Sequence, residues 1–186
     1  RPSERFVGLF RHIGDGGVVD SLGVTDVDIT GNEVTGVLAG GNSGDISNSY
    51  TSGSVTGGGK DPRDTGGLTG FNDGTITSSY SSAAVHGEMA VGGLVGNNLG
   101  TGIISNSYAT GSVSTELYCL DGPPYNSTCY YIGGLVGSTL GGLIQNSYST
   151  ASISVPGEGY AVGGLVGENY MGDITNSYTI GSISVG

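Results

Sequence analysis

Apolar residues recur along this chain at wide, regular intervals, and small polar residues fill the spaces between them. Aligned on one leucine, the chain gives Leu9, Leu38, Leu68, Leu94, Leu135 and Leu165. A second anchor follows as Leu22, Tyr50, Tyr80, Tyr108, Tyr148 and Tyr178, and a third as Val27, Val55, Val85, Val113, Ile153 and Ile183. Ahead of each tyrosine stands Ile46, Ile76, Ile104, Ile144 or Ile174. The phrase Gly-Gly-Leu-Val-Gly returns at 92–96, 133–137 and 163–167. A period of about 30 residues points to stacked supersecondary units rather than to one irregular domain.

Within each unit the periodicity is that of strands. In Ile46-Ser47-Asn48-Ser49-Tyr50 the odd and even members point opposite ways. Turn residues such as Asn42-Ser43-Gly44 and Asn72-Asp73-Gly74 separate the short runs. Helical repeats would need long windows of 3.6 periodicity, and glycine this frequent would cost each helix about 1 kcal/mol per site. The pattern therefore predicts an all-β parallel β-solenoid (β-helix) of about six coils of about 30 residues, with three short strands per coil. Residues 1–186 form one domain, with coils starting near 6, 35, 65, 91, 132 and 162. Right-handed winding is the default for such crossovers. A lone coil buries too few large side chains to offset the entropy of ordering its backbone, so stability arises between coils.

The alignment also assigns faces. The leucine and tyrosine columns should line the core. The variable neighbour of the leucine (Phe10, Ala39, Thr69, Val95, Val136, Val166) should face out, giving an outward stripe of Val95, Val136 and Val166. Asn48, Asn106, Asn146 and Asn176, with Ser78 and Asp20 in the remaining copies, should stack as an internal amide ladder. The pairs Ser47/Ser49, Thr77/Ser79, Ser105/Ser107 and Thr175/Ser177 should present a regular outward array of hydroxyls.

"GGLVG" followed by "NSYATGSVS" (106–114) resembles the GLUG-motif repeat family, and the resemblance covers nearly the whole chain. Copies two to six fit, whereas the first lacks the glycine pair, the Asn and the Tyr. The resemblance implies a bacterial surface or extracellular role of the kind found in large secreted and surface-attached proteins, including adhesins. It implies no reaction.

Composition sharpens the picture. Five Lys+Arg against sixteen Asp+Glu give a net charge of −11, which disfavours nucleic acid and anionic membrane surfaces. No apolar run is long enough for a membrane span. The chain begins at Arg1 without Met or a signal-peptide core and reads as a processed or excised product. Cys119 and Cys129 flank a turn-forming interval, Leu120–Thr128, and make a poor zinc site, so a disulfide is expected, tying the loop 115–131. Asn126-Ser127-Thr128 is the one glycosylation sequon, with Asn126 expected exposed at the loop tip. Both features favour an oxidising, extracellular setting.

Arg1, Arg5, Arg11, Lys60 and Arg63 do not fall beside recurrent acids, and neither His12 nor His86 has an evident nucleophile. Gly40–Asp45 only approaches a calcium-roll phrase, and Asp26, Asp28 and Glu33 are the best carboxylates for an ion. No catalytic, cofactor or metal residue is assigned, and no cofactor is expected. The length differences between copies all fall at one corner: Asp28–Val34, Thr56–Thr65, His86–Ala90, Thr115–Tyr131 and Val155–Ala161. Tyr118, Tyr125, Tyr130, Tyr131 and Tyr160 gather there as candidate contacts for a surface glycan or protein receptor. The expected function is a non-enzymatic structural or adhesive solenoid, secreted or surface-displayed, such as a filament subunit or adhesin segment. An ice- or glycan-binding module is the alternative, and a polysaccharide lyase or hydrolase is less favoured. Self-association or continuation end to end is expected, with the first copy, bearing Arg5, Arg11 and His12, as a partial cap.

Overall fold

The computed structural model describes residues 5–58, 63–115, 120–122, 125–128, 130–156 and 161–186, with backbone alone at 120–122 and 125–128. Among these residues there is no helix, and the strands stack as a parallel β-solenoid of three sheets. The first sheet takes one strand from each of six coils: Phe6–Val7, Val34–Gly36, Asp64–Gly66, Ala90–Gly92, Tyr131–Gly133 and Ala161–Gly163. The other two sides are bent. In the third coil the second sheet holds Thr69–Asn72 and Thr75–Thr77, and the third sheet holds Tyr80–Ser81 and Ala84–His86. Three sides are thus present as expected, but two of them consist of two segments each. Register is exact along the columns, as in Ile46, Ile76, Ile104, Ile144 and Ile174.

The repeated glycine phrase builds the corner between the first two sheets. A Cβ on Gly66, Gly92, Gly133 or Gly163 would overlap the carbonyl oxygen of Thr69, Val95, Val136 or Val166, three residues ahead. Such a tight turn admits only hydrogen at that point. The turn also corrects the facing of the next residues. Leu94 and Val95, and likewise Leu135 and Val136, are all fully buried in one core with Leu38 and Ala39. Alternation holds within a strand, but the leucine lies on the bend before the strand begins, so both neighbours turn inward. Thr69 is buried too, and the expected outward stripe of Val95, Val136 and Val166 belongs to this core. A second core, drawn from the first and third sheets, holds Val55, Val85, Val91, Val113, Ile132 and Ile153.

The internal amide ladder exists, but at different asparagines. Asn42 Nδ2 donates to Asn72 Oδ1 at 2.8 Å, and Asn72 Nδ2 donates to Asn98 Oδ1 at 2.8 Å, with all three residues fully buried. Each also holds its own turn, through Gly44 O, Gly74 O and Gly102 O. Asn48, Asn106, Asn146 and Asn176, like Ser78, are exposed and take φ of 48–50° at a corner of the coil. Asn tolerates this left-handed conformation better than other side chains, which explains its recurrence there without an internal role.

The first coil is irregular. Val7 pairs with Thr35 and Phe10 with Ala39, so its corner has one residue fewer, and Leu9 leaves the leucine column at 55% exposed. Two more residues in the turn before Val18 and a bulge between Val24 and Val27 then shift the rest: Tyr50 pairs with Gly23 rather than Leu22, and Val55 with Ile29 rather than Val27. The left-handed corner residue is Ser21, φ 56°, rather than Asp20.

Candidate functional site

The tyrosine column lies on the outside of the third sheet instead of in the core. Alternation explains it, because Thr51, Ser81, Ala109 and Ser149 beside the tyrosines are fully buried and the rings must point away. Tyr50, Tyr80, Tyr108, Tyr148 and Tyr178 form a continuous stack with centroid distances of 5.2, 4.7, 4.9 and 5.2 Å and interplanar angles of 2–8°. Each inner ring has its faces covered by its neighbours, so the ladder offers phenol edges and hydroxyls. The outer face of Tyr50 lies against Gly23, where a Cβ would come within 2.5 Å of Tyr50 Cζ. Tyr178 is 54% exposed, with no described ring beyond it. Burial pushes the Tyr108 phenol above its ordinary pKa, and the flanking Tyr148 and Tyr80 add to the shift. The line can hydrogen-bond a partner along its length but offers little ring face for stacking.

The expected outward hydroxyl array is half internal. Ser49, Ser79, Ser107 and Ser147 are buried and form a ladder through the coils. Ser49 N donates to Ser79 Oγ at 3.1 Å, Ser79 N to Ser107 Oγ at 3.1 Å, and Ser107 N to Ser147 Oγ at 3.2 Å. Each hydroxyl in turn donates to the carbonyl two residues earlier, as Ser79 Oγ does to Thr77 O at 2.9 Å. These serines satisfy backbone groups at a corner where the sheet ladder breaks.

The inserted segments all run from the third sheet to the first. In the longest, Leu120–Gly122 pairs antiparallel with Tyr125–Thr128. Asn126 thus lies in the second strand of this hairpin. Cys119, Cys129, Tyr118 and Tyr160 lie outside the described residues, and Tyr125 is described by its backbone alone. Of the remaining candidate aromatics, Tyr130 is 5% exposed and packs in the second core, which removes it from a binding edge. Tyr131 is half-buried in the first sheet.

The polar groups considered for catalysis or ion binding are mostly engaged elsewhere. Asp28 Oδ1 accepts from Ser54 Oγ at 2.6 Å, and Glu33 Oε2 pairs with Arg5 Nε at 2.7 Å. Among the described residues no group of three or more His, Cys, Asp and Glu is placed to hold a metal ion. One pair escaped the sequence reading: His86 Nδ1 lies 3.1 Å from Ser114 Oγ, because residues one coil apart in the same register become neighbours.

Asp64 is the most perturbed acid. It sits in the first sheet between Val34 and Ala90, and burial raises its pKa to about 6 against a long bond from Asn97 Nδ2 and the charge of Arg63. A raised carboxyl pKa means that the folded chain holds the proton more tightly than the unfolded one. The contribution of Asp64 to stability is therefore fully present below about pH 4 and is lost as pH rises through about 6, by on the order of 2 kcal/mol after allowing for partial exposure. Asp64→Asn should raise Tm at pH 7.5 and flatten the dependence between pH 4 and 6. Calorimetry across that range measures both.

The family model described as the GLUG motif matches residues 87–114, 128–154 and 158–184. This is a GLUG-repeat protein. The matched GLUG segments are the fourth, fifth and sixth coils, and the second and third coils share their columns and corners. A search of curated proteins found no match. GLUG repeats are generally found in extracellular proteins. Among the described residues no helix is long and apolar enough to cross a membrane.

Proposed function

We propose that this GLUG solenoid is a non-enzymatic structural or adhesive segment, extracellular or surface-displayed, that works by stacking its last coil against further coils. The observation that carries this reading is the state of that coil. Ala161–Gly163, Val166–Tyr170 and Ile183–Val185 pair with the fifth coil on one side and with nothing described on the other. Ile180 is 75% exposed and Ile183 48%, although Ile153, one coil earlier in the same column as Ile183, is buried. Open parallel edges beside an uncovered apolar section are a template for pairing. The tyrosine ladder and the loop corner are the surfaces left for a glycan or protein receptor. The ice-binding alternative needs a full outward hydroxyl array, and the serine ladder takes half of it inside.

Sedimentation velocity over a concentration series tests the reading. The chain should associate as concentration rises, and Ile183→Lys should weaken the association. A single monomeric species at every concentration would remove pairing between last coils.

A further inference from the structure

The last residue of the repeated phrase is glycine in five coils, as Gly40, Gly70, Gly96, Gly137 and Gly167. In the first coil, register places Arg11 at the head of that column, because Phe10 pairs with Ala39 and His12 with Gly41. What this column touches decides its chemistry. A Cβ on Gly40 would lie 2.9 Å from Val7 N, and one on Gly70 2.8 Å from Thr35 N. For Gly96, Gly137 and Gly167 the backbone nitrogens of Thr65, Val91 and Ile132 would be met at 2.6, 2.5 and 2.5 Å. Every one of these atoms belongs to the first-sheet strand of the preceding coil. The column is therefore glycine so that another coil can lie in front of it. Arg11, which is exposed, carries a whole side chain at the point where a single carbon would collide.

A second observation agrees. The first corner is one residue short and Leu9 has left its column, so the first coil does not present the surface on which the other coils stack. The last coil keeps the regular columns: the core-packed Leu165 and Ile174, and Tyr178 with an open ring face.

We propose that the stack is one-ended. Arg11 and the shortened corner close the first coil, and the last coil is a docking surface for a coil of the same repeat that carries glycine in Arg11's column. The first coil of a second copy is not such a coil. The inference rests on the reading of the last coil as a docking face, and it adds a direction and a partner. Head-to-tail contacts repeat without closing and give open filaments, whereas one-ended chains can meet only through their last coils.

The test replaces Phe6–Ile13 with the sequence of Val34–Asn42, which restores both the glycine and the missing residue. Arg11→Gly serves as a milder variant if circular dichroism finds the graft unfolded. Thr30→Cys and Ser184→Cys together report on polarity. Both positions are exposed and lie at opposite ends of one register column, so head-to-tail docking would bring them to the spacing of adjacent strands, within disulfide reach. The altered chain should form filaments under the electron microscope and a ladder of disulfide-linked multimers on a non-reducing gel. The chain with Arg11 should show neither, and dimers formed through Ser184→Cys alone would mark last-coil pairs. A ladder in the chain with Arg11 would overturn the one-ended stack while leaving docking through the last coil intact. No ladder in a folded altered chain would overturn the role given to Arg11, and if sedimentation also finds only monomer, docking through the last coil falls with it.

Discussion

Gly96→Ala is expected to abolish the folded state at 37 °C or to leave it barely populated. The added carbon would lie 2.5 Å from Gly70 O and 2.6 Å from Thr65 N, both backbone atoms of the preceding coil held in parallel ladders. Neither can retreat without breaking pairing in two sheets at once, and no rotamer relieves a Cβ. Overpacking against fixed backbone belongs with the rare large effects, and about 4 kcal/mol or more is expected. Gly14→Ala is the control, because a Cβ there meets nothing within 4 Å. It should change stability by no more than about 0.5 kcal/mol. Urea unfolding followed by circular dichroism separates the two, and equal midpoints would refute the steric account of the phrase.

Asn72→Leu, nearly equal in volume, should cost about 3 kcal/mol or more, because it strands buried partners on both sides. Asn72 Nδ2 donates to Gly74 O at 3.1 Å and Asn98 Oδ1 at 2.8 Å, and its Oδ1 accepts from Asn42 Nδ2 at 2.8 Å. A hydrophobic replacement fills the space but leaves these groups dry and unpaired. Asn106→Gly is expected to be close to neutral, since Asn106 is exposed and its φ of 50° suits glycine. The contrast discriminates between the two asparagine columns. If Asn106→Gly were the costly change in thermal melts, the assignment of the internal ladder would be wrong.

The repeat itself determined the fold class. Six copies of one pattern, with short runs of period two between glycine-rich turns, leave a parallel solenoid as the architecture that buries every copy in the same way. The registers of Ile46 with Ile76 and of Val55 with Val85 follow from that repetition, as does the single corner that collects the insertions. What repetition does not carry is direction. Spacing alone puts Val95 and Tyr108 on the wrong sides, because alternation counts faces only within an unbroken strand and the bends reset the count. Two asparagine columns recur equally well, and only the three-dimensional path shows that Asn72 points into the stack while Asn106 sits at a left-handed corner. Serines such as Ser79 look like surface residues by composition, yet corners leave backbone groups that a hydroxyl must satisfy. In the first coil one residue missing at the corner is followed by two extra residues before Val18 and one more at the bulge, so residues that align by spacing, such as Leu22 with Tyr50, differ in register. The pairing of His86 with Ser114, and the meaning of Arg11, depend on which backbone lies one coil away. The sequence records the recurrence of a residue type, but the atoms that press on it belong to the neighbouring coil, about 4.8 Å away in space and about 30 residues away in the chain.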